Sequence, residues 1–308
     1  MNQIIIYFLL FINIFAYASG PQYYCTASDA GYFDCLKNLI GGIHKYNFDQ
    51  LGEILVFDLG LSESQREWLS HVDKLKIYEI ERLHPDTLKP FNTRVWGKPV
   101  PGWYAWKAIA IKQALDIYDQ ILWIDAGTTV YKPLDDLFEY ITYTGYFFHN
   151  GSSWSLKQAC TEYAIEKLRL YSPERQWMLD HNTKGLESGL MGITRKIAPY
   201  FVLPMYNLAK DLRNFVDDGT AGRGFGDYRP DQTLFSIYAL LHKFYIFHHY
   251  ERPLDRFKLK VGDNKYAMFH IACNSEDRIE NTHIYCSRFD LDFRIVSDFI
   301  RFKESEKC

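Results

Sequence analysis

The chain has 308 residues, a formal net charge of −3, and a composition of 47% hydrophobic and 24% charged residues. That is enough apolar material for one large core or two smaller ones, which excludes a disordered chain. The charge balance, with no basic run, gives no attraction to nucleic acid or to an anionic membrane surface.

In chain order, MNQIIIYFLLFINIFAYASG has no charged side chain and runs apolar from Ile4 to Phe15 before Ala16-Tyr17-Ala18. That pattern predicts a cleaved signal peptide over 1–18, with an uncleaved short anchor as the alternative. The first reading places the mature chain in the secretory pathway or outside the cell, the ER or Golgi lumen in a eukaryote; the second ties it to a membrane. Six cysteines, Cys25, Cys35, Cys160, Cys273, Cys286 and Cys308, lie beyond the cleavage point. An even count in an exported chain permits disulfides, with Cys273–Cys286 the pair the spacing favours. Asn150-Gly151-Ser152 is a glycosylation sequon.

QYYCTAS (22–28) reads as a strand, with Ser28 or Asp29 capping a helix over FDCLKNLIGGIHKYN, whose apolar residues fall at helical spacing. EILVFDL (53–59) is a buried strand, Ser62 to Gln65 a capping box, and KLKIYEI (74–80) a third strand. Strand, helix, strand, helix, strand argues for parallel pairing. Residues 84–102 hold four prolines and two glycines and read as an irregular loop. A helix over 103–118 then feeds the strand QILWID, and PLDDLFEY (133–140) starts another helix. KGLESGLMGITRK (184–196) is a short strand bracketed by glycines, and the Gly-rich 219–226 reads as a lid or hinge ahead of a helix from RPDQTLF. Short aromatic strands and turns follow from about 243.

Asp125 ends an apolar strand, with Ala126 and Gly127 leaving room for a ligand to approach the backbone. Open α/β sheets bind ligands beyond the carboxyl ends of their strands, although such an Asp also serves to cap its own turn. Lys107 is the first charge in an otherwise apolar helix, with Trp103 and Trp106 beside it as stacking surfaces. Asp231 follows Pro230 in a helix first turn, where the macrodipole favours an anion. A glycosidase pair, Asp125 with Glu187, needs the two carboxylates some 5–10 Å apart across a cleft.

ILWIDAGTTVYKPLDDLF resembles the metal-site segment of nucleotide-sugar glycosyltransferases of the GT-A fold, closest to the family-8 type. GLESGLMGI (185–193) and RPDQTLF (229–235) resemble two further blocks of that family, in the family's order. The resemblance covers roughly 22–250 and implies an α/β fold with a mixed, mostly parallel sheet flanked by helices. It implies a GT-A-like domain over 19–250, with 251–308 as a C-terminal elaboration packed on it. It further implies transfer of a sugar from a nucleoside-diphosphate donor to a hydroxyl of a glycan, protein or lipid acceptor. Asp125, Ala126, Gly127, Lys107, Trp103, Ser188, Gly189 and Gln232 would then bind the donor, and Glu187 with Asp231 would act on sugar or acceptor.

The departures are specific. Gly127 replaces the second carboxylate of Asp-x-Asp, the family's principal ligand for Mn²⁺ or Mg²⁺, and His270 in MFHIACN is the nearest counterpart of its late histidine. A metal held by Asp125 and His270, with Asp135 or Asp136 as substitutes, stands beside a metal-free alternative in which Lys107, Arg94, Arg223 or Arg229 balances the diphosphate. The same departures allow a second function: a secreted carbohydrate- or nucleotide-binding protein without catalysis.

Overall fold

The computed structural model describes residues 20–92, 99–150, 154–222, 224, 228–247, 254–261, 266–273, 282–286 and 296–304. The expected signal segment, Arg94, Arg223 and Cys308 lie outside these residues. Strand β1 (Gln22–Ser28), helix α1 (Phe33–Asn47), β2 (Leu51–Asp58), α2 (Glu63–Ser70) and β3 (Leu75–Glu79) alternate as expected. The pairings β1–β2 and β2–β3 are parallel. The capping box at α2 forms: Gln65 N–H donates to Ser62 Oγ and Ser62 N–H to Gln65 Oε1. Asp29 caps a short 3-10 turn ahead of α1, its Oδ1 accepting from Gly31 and Tyr32 N–H.

Where an irregular loop is expected, a small hairpin forms from β4 (Pro90–Asn92) and β5 (Pro99–Pro101). Gly102, Trp103 and Tyr104 follow with φ of 50°, 49° and 66°. A right-handed helix cannot run through left-handed residues, so α3 (Ala105–Ile117) starts two residues later than its apolar pattern suggests. Gly102 has a second constraint, since a Cβ there would sit 1.9 Å from the Thr87 carbonyl oxygen.

The chain continues through β6 (Gln120–Ile124), β7 (Thr128–Val130), α4 (Asp135–Thr144), β8 (Tyr146–Phe147), α5 (Glu162–Lys167), β9 (Leu190–Thr194), α6 (Ala198–Leu208) and α7 (Pro230–Leu241). It closes with β10 (Leu254–Lys260), β11 (Tyr266–Cys273) and β12 (Ile284–Cys286). The main sheet has the order β3-β2-β1-β6-β9-β8. Its first four strands are parallel, and β9 runs antiparallel to both β6 and β8. The expected mostly parallel sheet flanked by helices is therefore present. A second sheet, β10-β11-β12-β7, joins the C-terminal strands to the segment just after Asp125.

Strand β6 is buried on both faces, and its two-residue period assigns its side chains to different cores. Ile121 and Trp123 pack with α3, α6 and α7, whereas Leu122 and Ile124 pack with α1, α4 and the second sheet. The residue after Ile124 continues the Trp123 face. That single parity decides where Asp125 goes.

Candidate active site

Asp125 leaves β6 with its backbone held on both sides: its N–H donates to the Gly189 carbonyl, and its carbonyl accepts from Thr128 N–H. On the Trp123 face its Oδ1 accepts from the Trp123 indole N–H at 2.9 Å and meets Lys107 Nζ at 3.1 Å. Its carboxylate is thus engaged with Trp123 and Lys107, beyond its own turn.

Lys107 lies in the first turn of α3, a helix with buried Ala105, Ala108, Ile109, Ala110, Ile111 and Ala114. Such a helix is buried nearly all round, so its one early charge needs partners inside the protein. The residue is only 2% exposed. Its ammonium lies 2.7 Å from Asp231 Oδ2, near the Ser188 carbonyl at 3.3 Å, and 5.5 Å from the Trp123 ring centroid. Ser188 Oγ donates to the same Asp231 oxygen at 2.7 Å. Asp231 stands in the first turn of α7, as expected, but its carboxylate is turned to Lys107 and Ser188. Four segments distant in sequence thus meet in one charged cluster.

That cluster forms part of the wall of a cavity of about 410 Å³. The cavity opens at the carboxyl ends of β1, β2 and β6, where Ala27, Leu59 and Asp125 line it. The chain leaves β1 towards β2 on one side, while β6 pairs on the other, so this is a topological switch point of a parallel sheet, the place where such sheets take ligands. Aromatic wall residues are Tyr32, Tyr104, Trp106 and Tyr228. The Trp106 indole N–H is buried with no hydrogen-bond partner among the described residues.

Of the residues expected to bind donor, Asp125, Ala126, Gly127, Lys107, Ser188 and Gln232 line the cavity, as do Asp231, Trp106 and Arg229. Trp103, Gly189 and Glu187 are not among the lining residues. Trp103 stacks on Phe91 of the hairpin, with centroids 5.9 Å apart, because its left-handed backbone turns it that way. Glu187 precedes β9 instead of lying in it, and its Oε1 accepts from Gly189 N–H at 3.2 Å. The carboxylate therefore holds the turn that places Ser188, and of the Asp125–Glu187 glycosidase pair only Asp125 lines this cavity.

The expected metal ligands do not converge. His270 lies in β11, separated from β7 by β12, with its ring 5.7 Å from that of His283 and outside the cavity lining. Asp135 accepts from Gln22 Nε2 at 2.8 Å. Gln22 opens β1, so Asp135 and Asp136 belong at the opposite edge of the sheet from Ser28. No group of three or more His, Cys, Asp or Glu suited to an ion occurs among the described residues. A hard divalent cation needs several oxygen ligands. Here Gly127 offers no side chain, and the ammonium of Lys107 already lies between Asp125 and Asp231, two of the three carboxylates in the cavity lining. The residues present do not fit a resident Mn²⁺ or Mg²⁺.

Cys25 and Cys160 are free thiols rather than disulfide partners. Burial pushes the Cys25 thiol up and the Cys160 thiol to about 12. Strand register sets the backbones of Cys273 and Cys286 opposite one another, while their side chains lie outside the described residues. Asn150 of the sequon is 8% exposed, which leaves its amide poorly presented to a glycosylating enzyme. Among the described residues no helix is long and apolar enough to cross a membrane.

Sequence reasoning missed the β1 side of the cavity: Ser28, Asp29, Tyr32 and Cys35. The signal was present, because the strand expected to neighbour β6 in a parallel sheet has a carboxyl end that must share the crevice with Asp125. Tyr104 and Tyr228 carried no comparable sign.

No family model and no curated protein matches this sequence. Among solved structures the chain is similar to the galactosyltransferase LgtC in complex with donor and acceptor sugar analogues. That similarity has 12% identity over 92% of this chain and 98% of the other, with a TM-score of 0.49. It is also similar to core-mannan synthase A of Aspergillus fumigatus in its Mn/GDP form, with 11% identity over 73% and 71% of the two chains and a TM-score of 0.46. Mouse xyloside xylosyltransferase 1 in its apo form gives 12% identity over 75% and 84%, with a TM-score of 0.41.

Proposed function

We propose that this protein is a glycosyltransferase that moves a sugar from a nucleoside-diphosphate donor to a hydroxyl acceptor on a glycan, protein or lipid. The observation that carries the reading is the Lys107–Asp125–Asp231–Ser188 cluster, set in the wall of a 410 Å³ cavity at the switch point of the sheet. Two carboxylates bridged by one ammonium suit the hydroxyls of a sugar, which donate to the former and accept from the latter. The Gln232 side-chain amide adds a donor and an acceptor beside them. Aromatic side chains on the walls offer apolar faces to a base or a sugar ring. The three sequence blocks that resemble family-8 glycosyltransferases supply most of this cluster, which supports the same reading independently of the cavity.

In the reaction, the bond between the anomeric carbon and the donor phosphate oxygen breaks, and its electron pair leaves with the diphosphate. The acceptor oxygen bonds to that carbon and loses its proton. Asp231 is the carboxylate we assign to that proton if configuration inverts. The uncharged apolar start of the chain supports action in the secretory pathway, where N-terminal sequencing of the exported protein would read Ser19 first.

Incubation with a panel of labelled nucleotide sugars tests the activity. Transfer or slow donor hydrolysis is expected, with Asp125→Asn and Asp231→Asn each lowering it by a hundredfold or more while the fold persists. Donor binding without turnover would instead make the chain a nucleotide-sugar-binding protein. Absence of both binding and turnover would overturn the proposal.

A further inference from the structure

The reading above gives the Lys107–Asp125–Asp231 cluster to the donor sugar, and the inference that follows rests on that reading. We propose that Trp123, one layer behind the cavity wall, is a positioning residue that holds the Asp125 carboxylate in place for the sugar.

Trp123 is fully buried and is not among the residues that line the cavity, so any effect it has on a ligand passes through its neighbours. It stands two residues before Asp125, on the strand face that Asp125 continues. An indole buried this deeply needs a partner for its N–H, and the carboxylate is that partner: Nε1 donates to Asp125 Oδ1 at 2.9 Å. The same ring meets Lys107, whose Nζ lies 5.5 Å from its centroid. An aromatic ring is positive at its edge and negative on its face. One side chain thus offers a donor to the carboxylate and a π-face to the ammonium. Trp106, which does line the cavity, packs against Trp123 with ring centroids 6.1 Å apart.

Lys107 alone would hold Asp125 loosely. Its ammonium is nearer to Asp231, at 2.7 Å against 3.1 Å, and it acts as a point charge with no preferred plane. The indole N–H is rigid and directional, so it selects one rotation of the carboxylate where the ammonium accepts several. Leucine or phenylalanine would fill the same place in the core and donate nothing. Without the N–H, Asp125 keeps its charge beside Lys107 but loses its alignment towards a sugar hydroxyl.

Trp123→Phe removes the donor but also shrinks the side chain. A second variant therefore carries 3-benzothienylalanine at position 123, which keeps the bicyclic shape with sulfur in place of the N–H. Ile121→Val removes a methylene group from the same core on the same strand face and controls for packing. The measurement is calorimetric titration of the intact protein with UDP-, GDP-, ADP- and CDP-linked hexoses, and with the four nucleoside diphosphates alone. A nucleotide sugar that the parent binds should bind both Trp123 variants roughly tenfold to a hundredfold more weakly. The matching nucleoside diphosphate, which carries no sugar, should change by less than about threefold, and Ile121→Val should match the parent for both. Thermal unfolding identifies a variant that has simply failed to fold. A folded 3-benzothienylalanine protein that binds the nucleotide sugar as the parent does would overturn the inference and leave the proposed function standing. So would equal weakening of sugar-bearing and sugar-free ligands, or an Ile121→Val protein as impaired as the Trp123 variants. If the unaltered protein binds none of the nucleotide sugars, the inference and the proposed function fall together.

Discussion

The ammonium of Lys107 lies 2.7 Å from Asp231 Oδ2, joining the first turn of α3 to the first turn of α7 through a buried charge pair. Neither residue is near the other in sequence, and the contact forms only because both helices lie on the Trp123 face of β6.

This pair gives the first prediction. Lys107→Met removes the cation and leaves two carboxylates facing each other with little water. The cost should be about 3–5 kcal/mol, the range for breaking a buried ion pair from one side. Adding Asp125→Asn and Asp231→Asn to Lys107→Met should restore most of that stability, since no uncompensated charge then remains. Urea unfolding of the single and triple variants checks it; a single variant as stable as the parent would show that the cluster carries no structural charge balance.

The C-terminal tail is fixed to α1 by contact with a glycine. A Cβ at Gly41 would lie 1.9 Å from the Val296 carbonyl oxygen, and backbone cannot give way as a flexible side chain can. Asn38 Oδ1 accepts from Val296 N–H and His44 Nδ1 from Arg301 N–H, so this helix face holds the tail at three levels. Gly41→Ala should release the 296–304 segment and cost about 1–3 kcal/mol. Limited proteolysis should then cut the tail faster than in the parent.

His44 sets an acid limit to stability. Burial lowers its pKa from 6.5 to about 4, despite the nearby Asp73 acting in the other direction. Above pH 6.5 both the folded and unfolded forms hold a neutral ring, and the contribution is fully present. Between pH 6.5 and 4 the unfolded chain takes up a proton that the folded one refuses, so stability falls by about 1.4 kcal/mol per pH unit for this group. His283, likewise lowered to about 4 with burial as the largest cause, adds to the same window. Denaturant midpoints from pH 7 to 4.5 should fall, and the slope should be shallower in His44→Asn, which keeps an acceptor for Arg301.

Two buried thiols should be protected by the fold. Cys25 and Cys160 are buried with raised pKa values. Maleimide at neutral pH should label both slowly in the folded protein and quickly once urea unfolds it, by peptide mass spectrometry. Fast labelling of either in the folded protein would contradict the burial described.

Local pattern made much of the fold legible. The α1 range matches the apolar spacing of FDCLKNLIGGIHKYN, and the Ser62 to Gln65 box forms as written, because both depend on interactions within a few residues. The start of α3 was not legible, since three left-handed residues in succession are imposed by the hairpin and by Thr87, not by the composition of GWY. His270 looked like a ligand because its neighbours resemble a motif. Its sheet register sets it apart from the cavity, and register depends on partners far along the chain.

By itself the sequence determined that β6 is a buried strand ending in one carboxylate, and that small residues follow it, because alternation and side-chain size are local properties. Tertiary structure alone decided what that carboxylate meets. Parity along β6 turns Asp125 towards α3, and burial of α3 leaves the Lys107 side chain only 3% exposed. Charge neutrality in a low-dielectric interior then draws Asp231 and Asp125 to the same cation.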